Sequence, residues 1–239
     1  MTFELYDRLI EGIDESIIVD SVVISSTGAM VFADTYMGTA GIYEGETPDV
    51  EKYEGMTLKS LAELSKSWNF VEAGVGVAAI NAWYNAGQHL DHSATVDKDT
   101  FAEYEEITAG KKVALIGSFS QMDGILTKAD TYIIERYTRP GEYPEAAAEY
   151  LLPEMDYIFI TGSTLVNKTM PRLLDLARDD SQVILLGPSS TLSEILFEYG
   201  VDEISGVVIT NSLKAMTSII SDDHKGIYKA GVRTRIKND

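Results

Sequence analysis

The sequence contains no cysteine, which removes disulfide bonds, thiolate metal sites and cysteine nucleophiles at once. Histidine is scarce: His89, His92 and His224 are the only three. The pair around Asp91 has the H-x-x-H spacing of two metal ligands, but two imidazoles in a polar stretch fall short of a coordination sphere. Basic residues are few, 19 against 38 acids, for a net charge of -19. Such a chain lacks the basic face that nucleic-acid phosphates or an anionic membrane surface require. The longest apolar run, around Val75 to Trp83, is too short to span a bilayer. Thr2 to Gly12 carries four charges on an amphipathic helical pattern and does not read as a signal peptide, so a cytoplasmic protein is expected.

What is present is enough apolar residue to build a core. At 239 residues and 45% hydrophobic content, the chain can bury roughly 70–75% of its unfolded surface, as one large domain or two small ones. After the amphipathic N-terminus, Ser16 to Ser26 and Ala29 to Thr35 read as a hairpin around Ser26-Thr27-Gly28. Gly38 to Gly55 reads as a long surface loop, with Glu44, Glu46, Asp49, Glu51 and Glu54 in solvent. Helices are predicted over Thr57 to Lys66 and Glu72 to Ala86. Apolar density falls between Gln88 and Lys111, apart from a short helix over Thr100 to Ile107. From Lys111 the pattern alternates. Strands at Val113 to Ile116, Thr131 to Glu135, Tyr157 to Ile160, Val183 to Leu186 and Gly206 to Ile209 are interspersed with helical spacing at Pro144 to Leu152, Met170 to Ala177 and Leu192 to Tyr199. Such alternation implies right-handed crossovers and a parallel sheet. The expected organisation is an α/β protein with an α+β domain over 1–90, a linker over 91–107 and a Rossmann-like domain over 108–239.

Small and hydroxyl residues cluster where those strands end. One strand runs into Thr161-Gly162-Ser163-Thr164 and on to Asn167-Lys168-Thr169; another runs into Gly187-Pro188-Ser189-Ser190. The crevice outside the carboxyl ends of parallel strands is where such sheets hold ligands. The same residues also suit helix capping, whatever the function. Gly117-Ser118-Phe119-Ser120 ends the first strand, and Glu135 stands eighteen positions after Gly117, near the spacing of a ribose-binding acid. The next glycine is Gly124, so the G-x-G-x-x-G cradle for a pyrophosphate is absent. No general base lies beside the hydroxyls of either turn, which disfavours a serine hydrolase. Asn81 and Asn85, one turn apart in an otherwise small and apolar helix, either pack as buried partners of the hairpin or reach a cleft.

Taken together, Glu135-Arg136, Pro140-Gly141-Glu142-Tyr143-Pro144, Leu151-Leu152-Pro153, the run Thr161 to Thr169 and Leu186-Gly187-Pro188-Ser189-Ser190 resemble a bacterial and archaeal family described by heavy-metal chelation, a domain of unknown function. Asn81-Ala82 is the clearest echo in the first half. The resemblance implies a first domain similar to the enolase N-terminal fold, a Rossmann-like second domain and a site between them for a metal or a metal-associated small molecule. The chain departs from the family pattern at Ser118, where a histidine is usual, at Glu142 in place of aspartate, and at Thr191 in place of proline.

The expected function is binding of a small polar or anionic molecule in the interdomain cleft, with a divalent metal as candidate cofactor. Its expected lining is Asn81, Gly117, Ser118, Glu135, Glu142, Thr161, Gly162, Ser163, Thr164, Asn167, Gly187 and Ser189. Glycines would admit the ligand, Ser163, Thr164 and Ser189 would donate hydrogen bonds, and Asn81 and Asn167 would orient it. The two glutamates would hold a cation or an amine. Two alternatives stay open: an enzyme with a nucleotide-like cofactor over Glu135, such as a transferase, and a non-catalytic subunit that recruits a partner. No nucleic-acid or membrane partner is expected, and self-association into a homo-oligomer is left open.

Overall fold

Two β-sheets divide the chain, and the turn chemistry of each strand decides where the functional groups end up. The computed structural model describes residues 3–90, 94–96 and 99–238. Helix α1 (Glu4–Glu11) leads into an antiparallel three-stranded sheet, β1 (Ser21–Ile24), β2 (Gly28–Ala33) and β3 (Tyr36–Gly41). Strand β3 replaces the start of the loop expected from Gly38 onward. Its glycines reflect packing, because a Cβ on Gly38 would collide with the backbone of Ala78 and Ala82. Helix α2 (Leu58–Ala62) starts at Thr57, whose hydroxyl accepts from Ser60 N at 3.1 Å. Helix α3 (Phe70–Tyr84) is capped by Asn69 and lies directly on β3. It is apolar nearly all round and buried all round, as that composition requires. The acidic loop residues Glu44, Glu46, Asp49, Glu51 and Glu54 are all exposed.

The second sheet has eight strands. Strand β4 (Thr95–Val96) and helix α4 (Thr100–Ile107) lie in the stretch expected as a linker. They precede β5 (Lys112–Ile116), α5 (Asp123–Lys128), β6 (Asp130–Glu135), β7 (Tyr143–Pro144), α6 (Ala148–Leu151) and β8 (Tyr157–Thr161). Next come α7 (Met170–Leu176), β9 (Gln182–Leu186), β10 (Glu203–Ile209), α8 (Ser212–Ile220), α9 (His224–Lys229) and β11 (Gly231–Lys237). The spatial order is β4-β11-β10-β9-β8-β5-β6-β7, with every pair from β10 to β7 parallel and both pairs made by β11 antiparallel. The chain thus reverses direction across the sheet between β5 and β8. That is the switch point at which open α/β sheets form a crevice. Strand β11 escapes sequence reading because its Arg233 and Arg235 resemble a solvated stretch. Arg235 is in fact buried, paired with Glu103 and, at 3.0 Å, with the buried Glu203, whose other oxygen meets Lys237 at 3.0 Å and the Tyr104 hydroxyl at 2.9 Å.

Side chains alternate across the large sheet with period two. Ile158 and Ile160 join the core shared with α1, α3 and the small sheet, whereas Phe159 joins Phe101, Tyr104, Val113 and Leu115 on the far face. One core therefore runs through both sheets. Its polar counterpart is a seam between α3 and the turn after β9. Asn81 Nδ2 donates to Thr39 O at 2.9 Å and to Ser189 O at 3.1 Å, and Asn81 Oδ1 accepts from the Thr191 hydroxyl. Asn85 Nδ2 donates to Ser190 O at 2.9 Å, and its Oδ1 accepts from Leu192 N at 2.8 Å. The Tyr6 hydroxyl adds a bond of 2.7 Å to Leu165 O.

Leaving these buried turn groups unpaired costs roughly 1–3 kcal/mol for each group. Asn85→Ala is accordingly expected to destabilise the protein by about 2–4 kcal/mol in denaturant unfolding. Gly162→Val should destabilise it as well, because a Cβ there would strike the backbone of Ser189 and Ser190. Wild-type unfolding midpoints in both variants would show that the seam does not hold the two sheets together.

Candidate functional site

Strands β5, β6 and β8 end side by side, and each end turns away from the sheet through a different device. Gly117 leaves β5 at φ +103°, in the left-handed region that favours glycine, with its N–H donating to Ile134 O at 3.0 Å. Thr161 ends β8 and accepts from Ser163 N, so the chain turns tightly into Gly162–Leu165. Glu135 ends β6, and one of its oxygens accepts from Arg136 N at 3.2 Å. Between these ends lies a pocket of about 100 Å³. Gly117, Glu135, Thr161, Thr164 and Asn167, five of the residues expected from sequence, line it.

The polar inventory of the pocket is mixed in charge. Asn167 Oδ1 is engaged by Thr169 N at 3.1 Å and the Thr169 hydroxyl at 2.7 Å, which leaves the Asn167 amide donors without a partner among the described residues. The Thr164 hydroxyl is committed to Thr161 O at 2.7 Å. Glu135 makes no ion pair among the described residues, and neither does Arg136, which also lines the pocket. The Arg136 guanidinium instead lies 5.1 Å from the Tyr43 ring centroid and 5.2 Å from that of Phe70. Lys168 shares that ring: its Nζ is 5.2 Å from the Phe70 centroid and 5.9 Å from that of Trp68, with one bond of 2.9 Å to Val166 O. Lys168 also has φ +66°, uncommon for a side-chain-bearing residue. Burial pushes its ammonium down to about 8 and pushes the Tyr43 phenol up to about 12. Tyr43 is therefore a neutral phenol near pH 7.

The other expected lining residues are elsewhere, for identifiable reasons. Asn81 is fully buried in the seam with both ends of its amide satisfied, so it orients the turn after β9 and not a ligand. Gly162 gives way to the backbone of that same turn. Ser189 Oγ accepts from Gly41 N at 2.8 Å and lies 3.3 Å from Ser163 Oγ, placing both serines in the contact between the sheets. Glu142 closes its own turn by accepting from Arg139 N at 2.7 Å. Ser118 is exposed and outside the pocket. Gly187, at φ +110°, faces a different pocket on the other side of the sheet. Of the H-x-x-H reading, Asp91 and His92 lie outside the described residues, while His89 packs on Trp83 at 4.0 Å between ring centroids.

Sequence reading missed Tyr43, Tyr137, Glu145 and Thr169 as lining residues and overlooked the platform made by Phe70, Trp68 and Lys168. Tyr43 follows the strand β3 that was read as loop.

No group of three or more His, Cys, Asp or Glu side chains among the described residues could hold a metal ion. The pocket offers only oxygen donors, the Glu135 and Glu145 carboxylates and threonine and tyrosine hydroxyls, next to a guanidinium. This donor set does not fit a soft heavy-metal ion, which selects thiolate and imidazole. No described helix is long and apolar enough to cross a membrane.

Two family models match the chain, over residues 6–84 and 99–238, and both carry the description "Putative heavy-metal chelation". An uncharacterized protein of Methanocaldococcus jannaschii is 30% identical over 208 residues, 82% of this chain and 76% of that one. The crystal structure of a protein of unknown function from Desulfitobacterium hafniense aligns with a TM-score of 0.93 at 34% identity, covering 99% of this chain and 98% of the other. A second, from Pyrococcus horikoshii, has a TM-score of 0.84 at 22% identity and covers 98% of each chain, which supports the fold alone. With one model spanning more than half of its length and both halves matched, the chain belongs to the family described as "Putative heavy-metal chelation".

Proposed function

We propose that this protein binds a small polar molecule with an anionic group at the switch point between β5 and β8. The observation that carries the reading is the convergence on one pocket of the Glu135 carboxylate and the Arg136 guanidinium, neither in an ion pair among the described residues, and of the Asn167 amide donors. Arg136 and Lys168 are held by aromatic rings in place of carboxylates, although the chain has twice as many acids as bases. Stacking fixes the position of a cation and leaves its hydrogen-bonding edge for a ligand. Glu135 would accept from a hydroxyl or amine at the other end of the molecule, and Tyr43, contributed by the N-terminal half, would close the pocket from above. The site would accordingly lie between an N-terminal α+β unit and a C-terminal Rossmann-like unit. A metal, where one accompanies the ligand, would rest on oxygen donors, which suit hard cations.

A second reading, a nucleotide-dependent enzyme, draws on Glu135 alone, which stands where a ribose-binding acid stands in dinucleotide folds. Adenosine, NAD and S-adenosylmethionine separate the two. A rise in thermal midpoint with any of them would favour the enzyme.

Native mass spectrometry of the protein purified gently from its host is expected to show a retained small molecule, lost in Arg136→Gln and Asn167→Ala while their unfolding midpoints stay near wild type. Retention in both variants would refute the site. Calorimetry with zinc, nickel or cadmium should give no dissociation constant tighter than about 1 μM. Lys168 should titrate near 8 by side-chain NMR. Between that value and the ordinary 10.5, the folded chain binds fewer protons than the unfolded chain, so this residue makes stability rise with pH across that window. Below about 8 the full cost of burying the charged amine is present. An anion bound beside Lys168 would raise its midpoint; an unshifted midpoint with a ligand in place would separate Lys168 from the site.

A further inference from the structure

The carboxyl edge of the large sheet carries a second pocket, on the face opposite the first. The first is walled by Ile116 and Ile134 of the shared core, the second by Phe101, Phe119 and Leu186 of the far-face cluster. We propose that this second pocket, organised around Arg233, binds a small oxyanion, the carboxylate or phosphate group of a metabolite.

Arg233 is unlike its neighbour two residues along the same strand. Both project from the same face of β11, but Arg235 is consumed by Glu103 and Glu203, whereas Arg233 has no carboxylate partner among the described residues. It is nevertheless held in place. Its guanidinium carbon lies 4.3 Å from the centroid of the Tyr228 ring, and Nη1 donates to Gln121 Oε1 at 3.3 Å. Stacking covers the flat face of the group, and Gln121 takes one of its five N–H donors. Its other N–H donors have no partner among the described residues, and a guanidinium fork can meet two oxygens of one anion.

The surroundings agree with an anion of that size. The pocket holds about 60 Å³, room for roughly four to six water-sized groups at about 10–15 Å³ each. Ser120 and Gly187 line it beside Arg233, and Gly187 takes φ +110°, in the left-handed region that favours glycine. The acid in the lining, Asp99, is already engaged as the N-cap of α4, accepting from Ala102 N at 3.2 Å. The aromatic walls Phe101 and Phe119, with ring centroids 5.1 Å apart, offer no polar competition. This site shares no lining residue with the switch-point pocket and stands whether or not that pocket binds its ligand.

The test is a titration of the full chain, labelled with nitrogen-15, with inorganic phosphate and separately with acetate, following arginine Nε–Hε and backbone amide resonances. The Arg233 Nε–Hε signal and the Ser120 and Gly187 amides should shift saturably with at least one anion, with a dissociation constant of about 1 mM or tighter. The two titrations show whether the group is a phosphate or a carboxylate. Arg233→Gln should weaken that binding at least tenfold, and Arg136→Gln should leave it unchanged. Absence of a saturable shift at Arg233 in the unmodified protein with either anion would overturn the proposal, even if the variant failed to fold. So would equal binding in a folded Arg233→Gln protein.

Discussion

Two carboxamides on one buried helix constrain almost everything else in this molecule. Asn81 in α3 and Asn85 at its C-cap are buried, and the turn from Ser189 to Leu192, with Thr39 O, meets their hydrogen-bonding needs. A buried amide tolerates little displacement, because a lost partner leaves a desolvated dipole behind. The helix register and the shape of the turn after β9 therefore specify each other. Once that turn is fixed, Gly162 must lack a side chain to pass beneath it, and the Ser189 hydroxyl meets Gly41 at the end of β3. Tyr43 follows two residues later and reaches the switch point. The pocket is thus a product of the seam.

Strands β5, β6, β8, β9 and β10 were legible because buried parallel strands are short apolar runs ending in small residues. Strand β3 was not, because Gly38 and Gly41 look like loop residues; Gly38 packs beneath α3 and Gly41 against the Ser163 and Ser189 hydroxyls, contacts that one dimension does not show. Strand β11 was hidden by charges that are neutralised within the fold. Of the residues expected to line a site, Gly117, Glu135, Thr161, Thr164 and Asn167 share one pocket, and the others serve turns, close packing or a different pocket. Close backbone packing and ligand approach both select glycine, and capping and recognition both select serine, threonine and asparagine. Gly117 and Gly162 cannot be told apart in one dimension. The first turns beside a pocket, and the second passes beneath another loop.

The cations tell a related story. Paired bases such as Arg8, Arg172 and Lys66 sit on the surface, where such pairs are worth about 0–1 kcal/mol. Arg136, Lys168 and Arg233 rest on aromatic rings instead, and all three stand near the carboxyl edge of the parallel strands. An aromatic face positions a positive charge without neutralising it. In a molecule of net charge -19, these stacked cations are local exceptions to a repulsive background.

The large sheet also bears on how copies of this protein can meet. Its outermost described strands, β4 and β7, are only two residues long, and β7 ends in Pro144, which has no N–H to offer a neighbour. Long, bare strand edges invite another chain to continue the sheet; edges this short, one of them closed by proline, do not. β4 and β7 themselves thus offer a second copy little backbone to pair with.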